Sequence, residues 1–295
     1  MIPFPRDFGA IWKKSSVFDK ETAIFQTIFT SLECGSNKKS PYESRRDARS
    51  TVQGTPCPVC LGECREAIKA IGGTTGTSYL DFLMASSAEG SCPTLPVVDI
   101  VQGASPQKTI RFYGRAIFNH DYQLVGYLNF VEGAYRQWIL KRIHYFDLVE
   151  NIPEAGGSVG VIVTKFGSKV KSSISPEKKV KMEIELTGLG HVGENNTNLD
   201  FSQQKNLKFV QNKINIKTSE HVLEMITKVQ KQFGTDVFGF NQTFNRQHPS
   251  EWNKLKGQWD TIFPDIEVTI NVNVNIKYIG LVGPPLQFKE SEINK

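Results

Sequence analysis

No stretch of this 295-residue chain approaches the roughly 18 consecutive apolar residues that a membrane-spanning helix requires. Nothing in it reads as a bilayer-crossing segment. The opening residues, Met1-Ile2-Pro3-Phe4-Pro5-Arg6-Asp7, lack the basic stretch followed by an apolar one that marks a secretory leader. Charge of one sign is also missing: 35 basic residues face 30 acidic ones, for a net charge of +5. With no zinc-finger, RNP or helix-turn-helix pattern, that balance argues against nucleic acid as a partner, and it would draw the chain only weakly to an anionic membrane. Cysteine is scarce; five residues, an odd number, do not make a disulfide framework. The G-x-S-x-G elbow, the G-x-x-x-x-G-K-[ST] loop and the H-E-x-x-H helix are absent, so the chain is read as a non-enzyme with no catalytic, cofactor-binding or metal-binding residues assigned.

What is present is a succession of strand and helix patterns. Thr22–Phe29 is one buried strand or two turns of helix. The polar stretch from Gly35 to Gly54, with Arg45, Arg46 and Arg49, reads as a linker and sets a boundary near residue 50. Helices are predicted over Arg65–Ile71 and Ser78–Ala85, parted by Gly72-Gly73, with Thr77 or Ser78 as cap of the second. The proline-bearing extended piece Cys92–Pro96 leads to a β-hairpin, Thr109–Phe118 and Gln123–Phe130, turning across Asn119-His120-Asp121-Tyr122. A helical segment Glu132–Ile143 follows, then strands Ser158–Lys171 and Lys178–Thr187 around the turn Ser175-Pro176-Glu177.

Three later patterns are stronger. Leu207, Val210, Ile214, Thr218, Val222, Met225, Ile226, Val229 and Phe233 recur at helical spacing, predicting one amphipathic helix over Gln204–Phe233, with an interruption near Lys217-Thr218-Ser219 left open and Gly234 as its stop. Pro249 opens a second helix with Trp252, Leu255, Trp259 and Phe263 on one face and Pro264 as terminator. Val268, Ile270, Val272, Val274, Ile276 and Tyr278 alternate with polar residues, the period of a strand with one buried face. Together these predict an α+β fold, a largely antiparallel sheet with long amphipathic helices packed on it. The last strand is expected at or near the sheet centre, under the helix carrying Val222, Ile226 and Val229.

Three groups invite a chemical reading. Cys57-Pro58-Val59-Cys60 places two thiols where one tetrahedral zinc can take both, and Cys64 and Cys92 would have to complete the site. Cys64 and Cys92 are too far apart, across two predicted helices, to resemble the second half of a zinc ribbon. Zinc and a thiol redox pair therefore rank below incidental cysteines. The histidines, His120, His144, His191, His221 and His248, are spaced unlike metal ligands and read as surface or packing residues. Gly188-Leu189-Gly190-His191-Val192-Gly193 spells G-x-G-x-x-G, but no helix pattern follows it as a dinucleotide site requires. It is read as a glycine-rich turn.

Gly114-Arg115-Ala116-Ile117-Phe118 followed by Leu124-Val125-Gly126-Tyr127-Leu128 resembles the Ger(x)C family, the lipoprotein C subunits of spore-germination receptors, in which a glycine, apolar residues and a phenylalanine precede an "LvGxL" strand. Glu132 with Trp138, Ser168–Lys171, Glu194, Asp236–Phe240, Pro249 with Glu251-Trp252, and Trp259 with Phe263-Pro264 continue the likeness in order as far as Gly280. Upstream, Tyr79–Phe82 with Leu95-Pro96 is similar to the end of the family's N-terminal region. The resemblance implies a divergent segment and linker over 1–50, a remnant of the N-terminal region over 51–108, and the family's C-terminal α+β domain over 109–290. It further implies a membrane-associated lipoprotein on the outer face of the inner spore membrane, working with integral-membrane A and B subunits in the response to germinants. Members carry a signal peptide and lipobox cysteine; Cys34 in Ser31-Leu32-Glu33-Cys34 has glutamate where a small residue belongs, so truncation or diverged anchoring is expected. The alternatives are an extracytoplasmic ligand-binding module unrelated to germination, and a thiol- or zinc-dependent protein using Cys57, Cys60 and Cys64.

Overall fold

A computed structural model describes residues 79–102 and 108–277. The segment 1–50, the helix Arg65–Ile71 and the Cys57, Cys60 and Cys64 cluster lie outside the described residues. Within them a three-stranded and a four-stranded sheet are surrounded by helices, the α+β architecture expected.

Helix α1, Tyr79–Ser87, precedes strand β1, Thr94–Gln102. The proline-bearing piece is thus a strand, antiparallel to β2, Lys108–Phe118, which pairs in turn with β3, Leu124–Asn129. Pro96 is tolerated because, among the described residues, β1 is an edge strand, where a missing N–H leaves no ladder bond unmade. The hairpin turns as predicted: Asn119 Oδ1 accepts the N–H groups of Asp121 and Gln123 at 3.0 and 2.9 Å, and Tyr122 takes φ 59°. Gly114 sits at φ 151°, and a Cβ there would lie 1.9 Å from the Leu128 carbonyl oxygen, so only glycine lets β2 and β3 close.

Helix α2, Phe130–Ile139, begins at a capping box in which Asn129 and Glu132 exchange side-chain and backbone bonds. It stops four residues short of the predicted Ile143, because Lys141 turns to φ 58°. Strand β4, Phe146–Ile152, follows with strictly alternating burial; it pairs antiparallel with β5, Gly157–Ile174, and β5 with β6, Val180–Asn195. The expected glycine-rich turn is a correction: Gly188 to Gly193 lie inside β6. A Cβ on Gly190 would stand 2.7 Å from the Ile162 carbonyl oxygen, and one on Gly188 within 3.2 Å of both Val163 and Val274. Those glycines serve close strand packing.

Helix α3, Gln204–Lys228, runs unbroken through Lys217-Thr218-Ser219, ends in a π turn over Val229–Phe233, and is stopped by Gly234 in the left-handed region at φ 63°. Asn206, Val210, Ile214, Thr218, Val222 and Ile226 form its buried row at a spacing of four. The second predicted helix is broken into α5, Pro249–Leu255, and α6, Trp259–Ile262, by a 3-10 turn at Lys256–Gln258; α4, Phe240–Gln247, precedes them. Trp252 and Trp259 are buried nonetheless and meet edge to face, 5.2 Å between centroids.

The last strand, β7 (Glu267–Lys277), buries Val272, Val274 and Ile276 and exposes Asn271, Asn273 and Asn275, as its alternation predicts. Its position is a second correction. Among the described residues it is an edge strand, parallel to β6, with Ile270 beside Ile184. Helix amides replace the missing neighbour: Asn215 Oδ1 and Gln211 Oε1, one turn apart on α3, accept the N–H groups of Val274 and Ile276 at 2.9 Å each. The part of β5 beyond the reach of β4 is closed the same way, since Gln247 Oε1 accepts the Ser172 N–H at 2.7 Å and Gln247 Nε2 donates to the Val170 carbonyl at 3.2 Å.

Candidate functional site

Three places hold enough chemistry or exposed apolar surface to be considered: a buried polar junction behind α4, the contact line between α3 and β4, and the outward face of α3. The junction is built on Asp236, which follows the stop at Gly234. Its Oδ1 accepts from the N–H groups of Phe238, Gly239 and Phe240 at 3.0, 3.0 and 3.3 Å, and its Oδ2 from Asn241 N–H at 2.8 Å and Trp259 Nε1 at 3.1 Å. The carboxylate thereby supplies the free N–H groups at the start of α4, which has glycine in the cap position and no cap bond of its own. Burial pushes the Asp236 carboxyl above its ordinary range while these donors pull it back.

The same segment ties in the first elements. Cys92 N–H donates to the Asp236 carbonyl at 3.0 Å, Asn241 Nδ2 to the Glu89 carbonyl and Ser91 Oγ at 2.6 and 2.8 Å, and Arg136 Nε to the Val237 carbonyl at 2.8 Å. Gly90, at φ 72°, packs directly under both tryptophans. Phe244 completes the stack 5.6 Å from Trp259.

Along α3, Glu150 on an inward position of β4 meets His221 Nδ1 at 3.3 Å; burial raises its carboxyl and His221 and Lys217 oppose that rise. Lys217 Nζ donates to the Asn151 carbonyl and Lys213 Nζ to Glu154 Oε1. Lys228 reaches both Glu132 oxygens at 2.9 Å, joining the end of α3 to the start of α2. Further round α3, Phe209, Ile216 and Leu223 stand seven residues apart, 37%, 56% and 40% exposed, with Lys213 Nζ 5.6 Å over the Phe209 ring. Their positions span about 21 Å of the helix axis at 1.5 Å per residue.

Among the residues singled out from sequence, Cys92 is a free cysteine, 2% exposed, with its thiol pushed up to about 12 chiefly by burial. It is a packed thiol rather than a thiolate. The fold brings two histidines to carboxylates, His221 to Glu150 and His120 to Asp260 at 3.2 Å, pairs invisible at their sequence separation. His248 Nε2 lies 3.1 Å from the Ser172 carbonyl. Among the described residues no three His, Cys, Asp or Glu gather as a metal set would, and no helix is long and apolar enough to cross a membrane. The junction's chemistry is that of fixed hydrogen bonds: its carboxylate is saturated by five donors, and no histidine adjoins Ser91 or Cys92 among their described bonds. Sequence reasoning missed the reach of Asp236; its signal was an Asp placed ahead of Phe-Gly-Phe-Asn, the position from which a short acidic side chain bonds N–H groups just beyond it.

A capped helix after a hairpin, a long amphipathic helix crossing a mixed sheet, a pair of packed tryptophans and a closing parallel strand define an α+β domain. The family described as "Spore germination B3/ GerAC like, C-terminal" matches residues 113–280, more than half of the chain, and the chain belongs to that family. It is similar to spore germination protein B3 of Bacillus subtilis (strain 168), 26% identical over 162 residues, covering 55% of this chain and 42% of the relative. It is also similar to spore germination protein KC of the same organism, 23% identical over 195 residues, covering 64% and 47%. With spore germination protein YndF, again from that strain, it shares 26% over 118 residues, covering 39% and 29%. The chain thus spans less than half the length of these three relatives. The crystal structure of the GerBC protein superposes with a TM-score of 0.57 at 22% identity, covering 72% of this chain and 66% of that one, a likeness of fold.

Proposed function

We propose that this protein is a non-catalytic subunit of a spore germinant receptor, acting in germination by binding integral-membrane A and B subunits at the outer face of the inner spore membrane. The observation that carries the reading is the ordered family match over residues 113–280. Two structural features support a binding role. The buried side chains of Asp236, Asn241 and Gln230 are engaged in holding elements together, and Phe209, Ile216 and Leu223 stand exposed along α3, apolar side chains of the kind that partners cover. Affinity purification of the tagged protein from spore membranes is expected to retain the A and B subunits, and a clean deletion in a strain without paralogous receptors is expected to slow germination with vegetative growth unchanged. Normal germination of that deletion strain would refute the proposal.

A further inference from the structure

The outward side of α3 carries charges among its apolar side chains, and both are arranged about one point. At about 100° per residue, a spacing of seven falls about 20° short of two full turns. Phe209, Ile216 and Leu223 therefore keep to one side of the helix, with Phe209 and Leu223 equidistant from Ile216. Two flanks border this row. The flank towards β4 holds Lys213, which pairs with Glu154 just beyond that strand, and the exposed Glu220, whose charge acts on Glu150. The flank towards β7, from which Gln211 and Asn215 reach that strand, holds Asn212 and Ser219. Each of these two couples is also seven residues apart, with its midpoint within about half a residue of Ile216.

A pattern with this centre is its own complement when one helix is turned end for end. A two-fold axis at right angles to α3 brings two copies together antiparallel and sets each flank against the same flank of the other. Phe209 then meets the partner's Leu223, Ile216 meets the partner's Ile216, and Lys213 lies opposite the partner's Glu220, twice by symmetry. On the other flank Ser219 Oγ donates to the Asn215 carbonyl at 2.8 Å, which leaves its lone pairs to accept from the partner's Asn212. Antiparallel helix dipoles also attract one another. A parallel pairing crosses the flanks, placing Lys213 beside Asn212 and Glu220 beside Ser219 with no ion pair. The order of charge is what selects a second copy. A lipid surface favours lysine and arginine along the polar flanks of a helix, whereas Glu220 and Glu224 stand exposed on the second half of this one.

We propose that this chain pairs with a second copy of itself through the outward side of α3, as an antiparallel two-fold helix pair centred on Ile216. The inference is independent of the receptor reading. Sedimentation equilibrium of the full chain tests it, with variants at positions outside the core. The unaltered chain is expected to show a reversible monomer–dimer equilibrium, and Ile216→Lys to weaken it by about tenfold or more, because two lysines then meet on the axis. Lys213→Glu and Glu220→Lys are each expected to weaken it as well, since each sets like charges against one another. Mixed together, those two variants are expected to associate, because both contacts of the mixed pair are again Glu opposite Lys. Should Lys213→Glu unfold by repelling Glu154, the same change combined with Glu154→Gln takes its place. A chain that is monomeric at every concentration, a dimer that survives Ile216→Lys, or charge variants that stay apart when mixed would overturn the proposal. The first of these results would leave the outward side of α3 to a different partner.

Discussion

Trp252 and Trp259 look equivalent on a helical wheel, yet the structure gives them different duties, and replacing each by phenylalanine separates these. Both are buried and stacked on one another. Trp259 also donates its Nε1 proton to Asp236 Oδ2 at 3.1 Å. Shrinking either indole to a phenyl ring removes comparable packing, about 1–2 kcal/mol by analogy with other partial core truncations. Trp259→Phe additionally deletes a hydrogen bond to a buried carboxylate, about 1.5–3 kcal/mol. Trp259→Phe is therefore expected to lose more stability than Trp252→Phe by about that second amount. Urea unfolding followed by far-ultraviolet circular dichroism, which does not depend on the tryptophan being removed, reads the difference as a lower midpoint at unchanged slope. In an Asp236→Asn background the gap should narrow, since the two residues are coupled directly. Equal losses in the two variants would refute the reasoning and make the junction a matter of apolar contact alone.

Gly234→Ala meets no atom within 4 Å but sits at φ 63°, so it should lose about 1–2 kcal/mol from backbone strain alone; Gly126→Ala, whose new Cβ would fall 2.2 Å from the Phe233 ring, should lose about 1–3 kcal/mol through overpacking, and Phe233→Leu should relieve only the second. Replacing Gln211 and Asn215 by alanine together should speed amide hydrogen exchange at Val274 and Ile276 while their neighbours facing β6 stay protected; unchanged exchange would show that α3 does not close that edge. Glu150 has a folded-state pKa raised above its ordinary 4.5, so the stability contributed by its protonated carboxyl is fully present below that value and is lost as pH rises through the folded pKa. The unaltered protein should accordingly lose stability relative to Glu150→Gln as pH rises above 4.5, and a difference that stays flat with rising pH would count against it.

How much of this was legible depended on whether the information was local. The alternation from Val268 to Ile276 and the spacing of Val210, Ile214, Thr218 and Val222 name one buried face each, and both faces are buried as read. The place of β7 in the sheet was not legible, because a polar alternate row reads alike in a central strand with one open face and in an edge strand whose outer N–H groups are taken by amides on a distant helix. Strand β4 escaped notice since Glu150 interrupts its apolar alternation, and the partner that tolerates it, His221, is 71 positions further on. The G-x-G-x-x-G spelling misled about shape for a related reason: glycine marks a close approach as readily as a turn, and only the packing of Gly188 and Gly190 tells which. Nothing near Arg136 in the sequence announces that α2 will bury it beside Arg115.

The amides of Gln211, Asn215 and Gln247 have a bearing on how this protein can be joined by others. A sheet with a bare margin recruits extended peptides and unfolded chains through main-chain bonding, with little regard for their side chains. Here stretches of the two margins where such recruitment would begin are already occupied by the protein's own helices. Along those stretches recognition passes to side chains, which discriminate by shape and charge, so a partner that docks there must match this surface in particular and a stray strand gains no foothold.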